Sequence, residues 1–242
     1  MKWAAVVVAA GLGTRLHGPK QLINLAGLPM VGWSIKLFAM MPEIEELVVV
    51  TEPESLESIR SLLTELAPES AARTVRGGAI RQQSVYEGLR AVSPEMQGVL
   101  VHDGARPLVS AADVRAGMCE IRAGRAALLA TPVVDTIKTV DPQSLQVGTT
   151  LDRRTLWAAQ TPQFALTSEL RAAHERARRE GVEATDDAAL LERIGIEVVV
   201  VPSTSENFKV THPADVARAQ AILEARCHPD PSTRLRLAQD EG

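Results

Sequence analysis

Short apolar runs recur along this chain, with room for one helix between neighbours. They are Trp3 to Val8, Leu47 to Thr51, Gly98 to His102 and Ala126 to Val134, and Arg73 to Arg76 reads as a shorter strand among them. Runs of this length, most of them rich in Val, Leu and Ala, read as strands buried on both faces. The intervals read as helices. Met30 to Met41 lies between Pro29, at a first-turn position, and Pro42; Glu54 to Leu66 sets Leu56, Ile59, Leu63 and Leu66 on one face; Ile80 to Val92 follows a double glycine. Ser110 caps a run to about Ala123, with Asp113 in its first turn. Ile23-Asn24-Leu25 and Gly27 read as a short bend before the first helix. Such alternation dictates an α/β fold with a mostly parallel sheet flanked by helices on both faces. Right-handed crossovers then gather the loops that leave the strands on one rim, where ligands bind.

Residues 136 to 155 break this rhythm. Ile137 to Val140 and Gln146 to Leu151 read as two strands around an Asp141-Pro142 turn, with no helical face. A projecting β-arm is too thin to hold its own core, so packing on a second subunit would shelter it; a mobile loop is the other reading. Beyond it, Trp157 and Phe164 are expected to anchor their stretch in the core. Thr167 is placed to cap a helix to about Glu180 that Gly181 closes, and Thr185 or Asp186 to cap another that runs to Ile194. Glu197 to Val201 and Phe208 to Val210 read as late strands, and Thr211 and Pro213 open a last helix to about Arg226. One domain is expected over residues 1 to 227, with a disordered tail over 228 to 242.

Composition narrows the classes of function. Of 242 residues 45% are hydrophobic, ample for a buried core, but only 3% are aromatic, so that core rests on Val, Leu, Ile and Ala. A net charge of −4 gives no global attraction to nucleic acid or to anionic membranes, so any anion site must be local. Cys119 and Cys227 have no metal-ligand spacing and suggest no disulfide framework, which fits the cytoplasm. The apolar start reads as a strand and not as a signal peptide, and no stretch approaches the ~20 apolar residues of a membrane span.

The chemistry begins at Ala9-Ala10-Gly11-Leu12-Gly13-Thr14-Arg15, which continues to Pro19-Lys20-Gln21 directly after the first strand. Gly11 and Gly13 allow a tight turn and bare N–H groups, a concave donor array that suits phosphate oxygens. Arg15 and Lys20 add two cations, one a bidentate fork and the other a mobile point charge. The loop is not a Walker motif, because Pro19 stands where its Lys belongs. Nor is it a dinucleotide fingerprint, because Leu16 replaces the third glycine. A bare G-x-G is equally an ordinary turn; the longer string G-x-G-T-R-(x4)-P-K resembles the loop of nucleotidyltransferases.

Four further clusters follow. Gly77-Gly78 enters a helix with Arg81 in its first turn, where a cation opposes the helix dipole, and with Ser84 able to reach a pyrimidine edge; a capped helix with a solvated Arg explains the same residues. Val101-His102-Asp103-Gly104-Ala105-Arg106-Pro107 puts Asp103 at the carboxyl end of a strand, suited to Mg²⁺ or a hydroxyl. Arg106 would there neutralise Asp103, and His102 is a packed residue with no second ligand at metal spacing. Arg153 and Thr161 could bind a second phosphate. Asp186-Asp187 suits a metal or a helix cap, and Lys209 a ligand or a solvated strand edge.

The ordered set G-L-G-T-R-L, P-K-Q, G-G-x-x-R-x-x-S-V, V-H-D-G-A-R-P, P-V-x-D-T-I-K, D-R-x-x-L-W-x-A-x-T-P-Q-F, T-D-D-A and N-x-K-V-T resembles the 2-C-methyl-D-erythritol 4-phosphate cytidylyltransferase family from about Ala5 to Leu223. The resemblance implies a Rossmann-like domain, a homodimer clasped by its arms, and Mg²⁺-assisted transfer of CMP from CTP to a polyol phosphate. It puts Gly11, Gly13, Arg15 and Lys20 on the triphosphate, with Ala10 and Gly104 beside them in the nucleotide site. Gly78 and Ser84 fall on cytosine, and Asp103 near ribose and metal. Thr136, Arg153, Thr161, Thr185 and Lys209 fall on the methylerythritol phosphate, with Thr136 and Arg153 open to contribution across the dimer. Ala79 stands where some relatives carry an acidic residue, which leaves contacts there to the backbone. The catalytic residues so implied are Arg15, Lys20 and Lys209, and no fused second enzyme domain is expected. The rivals are a ribitol 5-phosphate cytidylyltransferase, a non-catalytic nucleotide-binding module of the same fold, and a nicotinamide dehydrogenase, which the absent third glycine disfavours.

Overall fold

The computed structural model describes residues 1–11 and 20–227. Gly13, Arg15 and the expected tail lie outside the described residues. The chain opens with β1 (Trp3–Ala9), the small hairpin of β2 (Asn24–Leu25) and β3 (Leu28–Pro29), and α1 (Met30–Ala39). Next come β4 (Ile44–Thr51), α2 (Leu56–Leu66), β5 (Ala71–Arg76), α3 (Arg81–Ala91) and β6 (Gly98–Asp103). They are followed by α4 (Ala111–Cys119), β7 (Arg125–Pro132), the hairpin of β8 (Lys138–Val140) and β9 (Val147–Thr150), and β10 (Trp157–Leu166). The described chain closes with α5 (Thr167–Glu180), α6 (Asp187–Arg193), β11 (Glu197–Pro202) and α7 (Pro213–Cys227).

Seven strands form one sheet in the order β11-β7-β10-β6-β1-β4-β5. All pairs are parallel except those of β10, which runs against both β6 and β7. This is the mostly parallel α/β sheet that the alternation requires. Side chains of β1 divide with period two: Trp3, Ala5, Val7 and Ala9 enter the core that α1, α2 and α4 supply, while Ala4 and Val6 enter the core that α3, α5 and α6 supply. From β1 the chain steps outward to β4 and β5, then returns to place β6 on the other side of β1. The gap between the carboxyl ends of β1 and β6 is therefore a topological switch point, the crevice where open α/β sheets bind ligands.

Several local expectations need correction. Residues 157–166 form a central antiparallel strand that the sequence does not signal, because Pro162 interrupts it and the polar Gln160, Thr161 and Gln163 occupy buried positions on it. Phe164 on it is buried, but Trp157 remains 41% exposed, because its end of the strand pairs only with β7 out at Pro132. Thr167 is the first residue of α5 and not its cap: Leu166 holds the cap position with an extended backbone, since β10 runs straight into the helix. Asp186 caps α6, its carboxylate accepting from Ala189 N at 3.0 Å. Phe208 to Val210 is not a strand; one backbone bond, Val210 N to Ala105 O at 2.8 Å, does not make a ladder. Residues 136–155 carry the β8–β9 hairpin, exposed along both strands.

The helix that leads out of the double glycine lies unusually close to the sheet. A Cβ at Gly88 on α3 would stand 2.5 Å from Val6 Cγ1 and 2.8 Å from Val50 Cγ2, both in buried β-branched side chains. Gly88→Ala should therefore lift α3 off β1 and β4 and cost about 1–3 kcal/mol. The expected result is a lower urea midpoint with an unchanged slope; an unchanged midpoint would show that the contact relaxes freely.

Candidate active site

A cavity of about 230 Å³ opens at the switch point. Its walls include Ala10 and Gly11 after β1, Lys20 and Gln21, Ala79 to Arg81 and Ser84 at the start of α3, Asp103 at the end of β6, and Lys209. A second cleft of about 240 Å³ shares Arg81, Asp103 and Lys209, and adds Arg106, Thr161, Thr185 and Asp186. The two spaces meet at one wall built of alternating charges.

Asp103 is the centre of that wall. Its Oδ1 accepts from Arg81 Nε at 3.0 Å and its Oδ2 from Lys209 Nζ at 2.8 Å. Arg81 Nη1 also donates to Asp187 Oδ2 at 2.9 Å, and Asp187 Oδ1 lies 2.9 Å from His174 Nε2. Burial works against the charge on Asp103, yet the Arg81 and Lys209 cations hold its carboxyl well below the usual carboxylate range. Burial opposes Asp187 likewise, and Arg81 with the His174 hydrogen bond keeps it low. Burial disfavours the Arg81 cation too, but Asp187 and Asp103 hold it above its ordinary value. Arg81 is thus not a solvated first-turn charge. Its cost against the helix dipole is offset by two carboxylates.

The glycines explain how the loops converge. A Cβ on Gly77 would stand 2.5 Å from the Ala10 Cβ, so the end of β5 rests against the loop after β1. Gly78 donates its N–H to Ser84 Oγ at 3.1 Å, and Ser84 Oγ donates to Ile80 O at 3.1 Å. Gly78 itself lines a separate cleft between α3 and α5. Gly104 is bonded from its N–H to Val8 O at 2.9 Å and joins β1 to β6 rather than lining either cleft.

Across the sheet, β10 pairs Ala159 with Ala130 and Gln163 with Leu128, so its residues 160–162 bulge out of the ladder. The bulge carries Thr161 over the end of β6, where its Oγ1 accepts from Asp103 N at 3.0 Å. Asn207 Nδ2 ties the same bulge to the loop before Lys209, donating to Gln160 Oε1 at 3.0 Å and to Thr161 O at 2.9 Å. Arg106 forms no ion pair with Asp103. Its guanidinium donates to Asn207 O at 2.6 Å and to Ala159 O at 3.4 Å, and its buried Nε has no partner. Burial lowers Arg106 from its ordinary value. Thr136 and Arg153 stand apart from both clefts on the exposed root of the arm, Arg153 Nη1 donating to Val134 O at 2.6 Å.

Residues 3–225 match the profile of the 2-C-methyl-D-erythritol 4-phosphate cytidylyltransferase family. The chain belongs to that family. A 2-C-methyl-D-erythritol 4-phosphate cytidylyltransferase from Gloeobacter violaceus is 43% identical over 229 residues, 94% of this chain and 98% of the relative. One from Pelotomaculum thermopropionicum is 41% identical over 93% of this chain and 95% of its own. The crystal structure of the Thermus thermophilus cytidylyltransferase superposes with a TM-score of 0.74 at 35% identity, covering 92% of this chain and 98% of that one. That of the Anaerococcus prevotii 4-diphosphocytidyl-2C-methyl-D-erythritol synthase reaches 0.82 at 28% identity, covering 92% and 96%.

In this cytidylyltransferase no three His, Cys, Asp or Glu side chains converge among the described residues. Asp186 and Asp187 are engaged as cap and ion-pair partner, not as a metal pair. Asp103 alone puts a carboxylate on the shared wall, and one hydrogen bond to each oxygen leaves lone pairs on both. That donor set fits a hard cation held chiefly by phosphate oxygens and water.

The charged wall also sets the acid response. Asp187→Asn leaves Arg81 with one carboxylate and should cost roughly 3–5 kcal/mol at neutral pH. The folded values of Asp103 and Asp187 lie below their unfolded values of about 4. The stability they contribute is therefore complete above about pH 5 and is lost as the pH falls towards the folded values. Urea midpoints should show the wild type falling between pH 7 and pH 3 and the gap to Asp187→Asn narrowing; an equal gap at both would contradict this account.

Proposed function

We propose that this chain transfers CMP from CTP to 2-C-methyl-D-erythritol 4-phosphate, giving 4-diphosphocytidyl-2-C-methyl-D-erythritol and pyrophosphate in non-mevalonate isoprenoid biosynthesis. The observation that carries this reading is the shared wall: Arg81, Asp103 and Lys209 belong at once to a cleft beside the glycine loop and to a cleft beside Thr161 and Thr185. Two anions seated in these clefts meet across it.

The nucleotide takes the first cleft, with backbone around Ala10, Gly11 and Gly13 on the triphosphate and the Ala79–Ser84 segment on the base. The acceptor takes the second, near Thr161 and Thr185. One oxygen of its phosphate attacks the α-phosphorus of CTP in line, a P–O bond forms, and the bond to the β-phosphate oxygen breaks with its electrons leaving on pyrophosphate. No general base is needed, because the attacking oxygen is already an anion. The barrier is charge crowding and orientation. Lys20 and Arg15 stabilise the five-coordinate phosphorus and the departing charge, and Lys209 holds the incoming phosphate. Mg²⁺ when bound supplies charge neutralisation on the phosphates, with Asp103 the residue that would hold it. No helix among the described residues is long and apolar enough to cross a membrane. We place the enzyme in the cytoplasm, and its two free, exposed cysteines support that.

Lys20→Ala should leave the fold intact and cut kcat by ~10²–10³, the cost of one preorganised charge contact. Pyrophosphate release is followed with CTP and Mg²⁺, offering methylerythritol phosphate and ribitol phosphate separately. Turnover with ribitol phosphate alone would reassign the substrate, and turnover with neither would make the chain a binding module.

The same reading makes the arm a dimer clasp. Val140, Leu145, Val147 and Leu151 on the arm and Val134 and Trp157 at its root expose apolar side chains to solvent, a surface that a second copy would cover. Thr136 and Arg153 would then complete the partner's second cleft. Sedimentation should give the mass of two chains, and replacing residues 138–150 by a short Gly-Ser link should give one chain with little turnover. A monomer at working concentration would remove the clasp.

A further inference from the structure

His102 is completely buried, precedes Asp103 in the chain and takes no part in the steps above. Its ring stands edge-on to Phe38, with centroids 5.4 Å apart. Nε2 lies 3.0 Å from Arg106 O. A carbonyl only accepts, so Nε2 carries the proton. In the neutral ring Nδ1 then has only a lone pair, and the group 3.2 Å from it is Thr161 Oγ1. The Thr161 hydroxyl must therefore donate to His102. Its oxygen in turn accepts from Asp103 N, and Arg106 N donates back to Asp103 O at 2.9 Å. Asp103, Thr161, His102 and Arg106 form one closed ring of hydrogen bonds in which every donor and acceptor direction is fixed. The ring is completely buried and neither nitrogen meets a carboxylate, which keeps it neutral.

We propose that His102 is a positioning residue, which by accepting the hydrogen bond of the Thr161 hydroxyl makes Thr161 a strut between the β10 bulge and the backbone of Asp103. Thr161 then has no proton to give the acceptor phosphate. What it has left for the second cleft is an oxygen lone pair, which suits a substrate hydroxyl and not a phosphate oxygen. This last step rests on the polyol phosphate reading above; the ring of hydrogen bonds does not.

Nitrogen-15 NMR of the free wild-type protein at pH 7 tests the ring without any substrate. His102 should show a protonated Nε2 and an unprotonated Nδ1 coupled to the Thr161 hydroxyl proton. A proton on Nδ1 would overturn the proposal, whether or not the enzyme turns over. Kinetics with methylerythritol phosphate test the consequence. His102→Leu and Thr161→Val should each lower kcat by up to ~10²-fold, the scale of a misplaced reacting group, and the double variant should be no worse than the poorer single. His102→Asn, whose amide oxygen can still accept the Thr161 hydrogen bond, should recover most of the loss. Additive losses, or a Thr161→Val variant with kcat unchanged, would refute the strut.

Discussion

The clamp on Asp103 is the interaction on which the site depends. A carboxylate 7% exposed is costly to bury alone, by several kcal/mol even after relaxation. Here it is tolerated because two cations arrive from different parts of the chain. Arg81 comes from the first turn of α3 and Lys209 from the loop before α7, 106 residues beyond Asp103. Arg81 reaches a further 106 residues to Asp187 at the start of α6. The sheet end, two helices and the late loop are thus held by one alternating series, Lys209, Asp103, Arg81, Asp187. Each member is acceptable only if its neighbours are in place, so assembly of the fold and assembly of the site are the same event.

The series also solves a problem of charge. A site for two phosphorylated molecules needs cations close together, and cations held close together repel. Interleaved carboxylates keep Lys209 and Arg81 fixed and neutralised before any anion arrives. Their geometry is set during folding, and little reorganisation remains for the encounter. A triphosphate or an acceptor phosphate then has only to share a cation already in position.

What was legible in the residues follows from how local each signal is. The strand Trp3–Ala9 stands within a few residues, and so do Gly77-Gly78 with Ser84. Backbone sterics and periodicity are enough to read them. The double glycine also has a packing role, since Gly77 lets β5 rest on Ala10. The partners of Arg81 were not legible, because one lies 22 residues away and the other 106. Arg106, close to Asp103 in sequence, looked like its counter-ion, yet the turn after β6 points its guanidinium at backbone carbonyls of β10 and of the late loop. β10 itself was hidden by Pro162, which ordinarily argues against a central strand. Here it sits in the bulge, where no ladder hydrogen bond is lost.

The reversed direction of β10 has a consequence for the arm. β7 is parallel to β11 and antiparallel to β10, so β7 ends, and β10 begins, on the same rim as the carboxyl ends of β1 and β6. The segment that joins β7 to β10 must therefore leave from the ligand rim. Had β10 been parallel, that segment would have crossed the sheet face, as the helices of the other parallel connections do, and an arm there would face the wrong way. As built, Thr136 and Arg153 at the root of the arm stand on the rim that carries both clefts, yet outside them within one chain. Strand direction alone thus puts the exposed apolar hairpin and the two clefts on one side of the molecule.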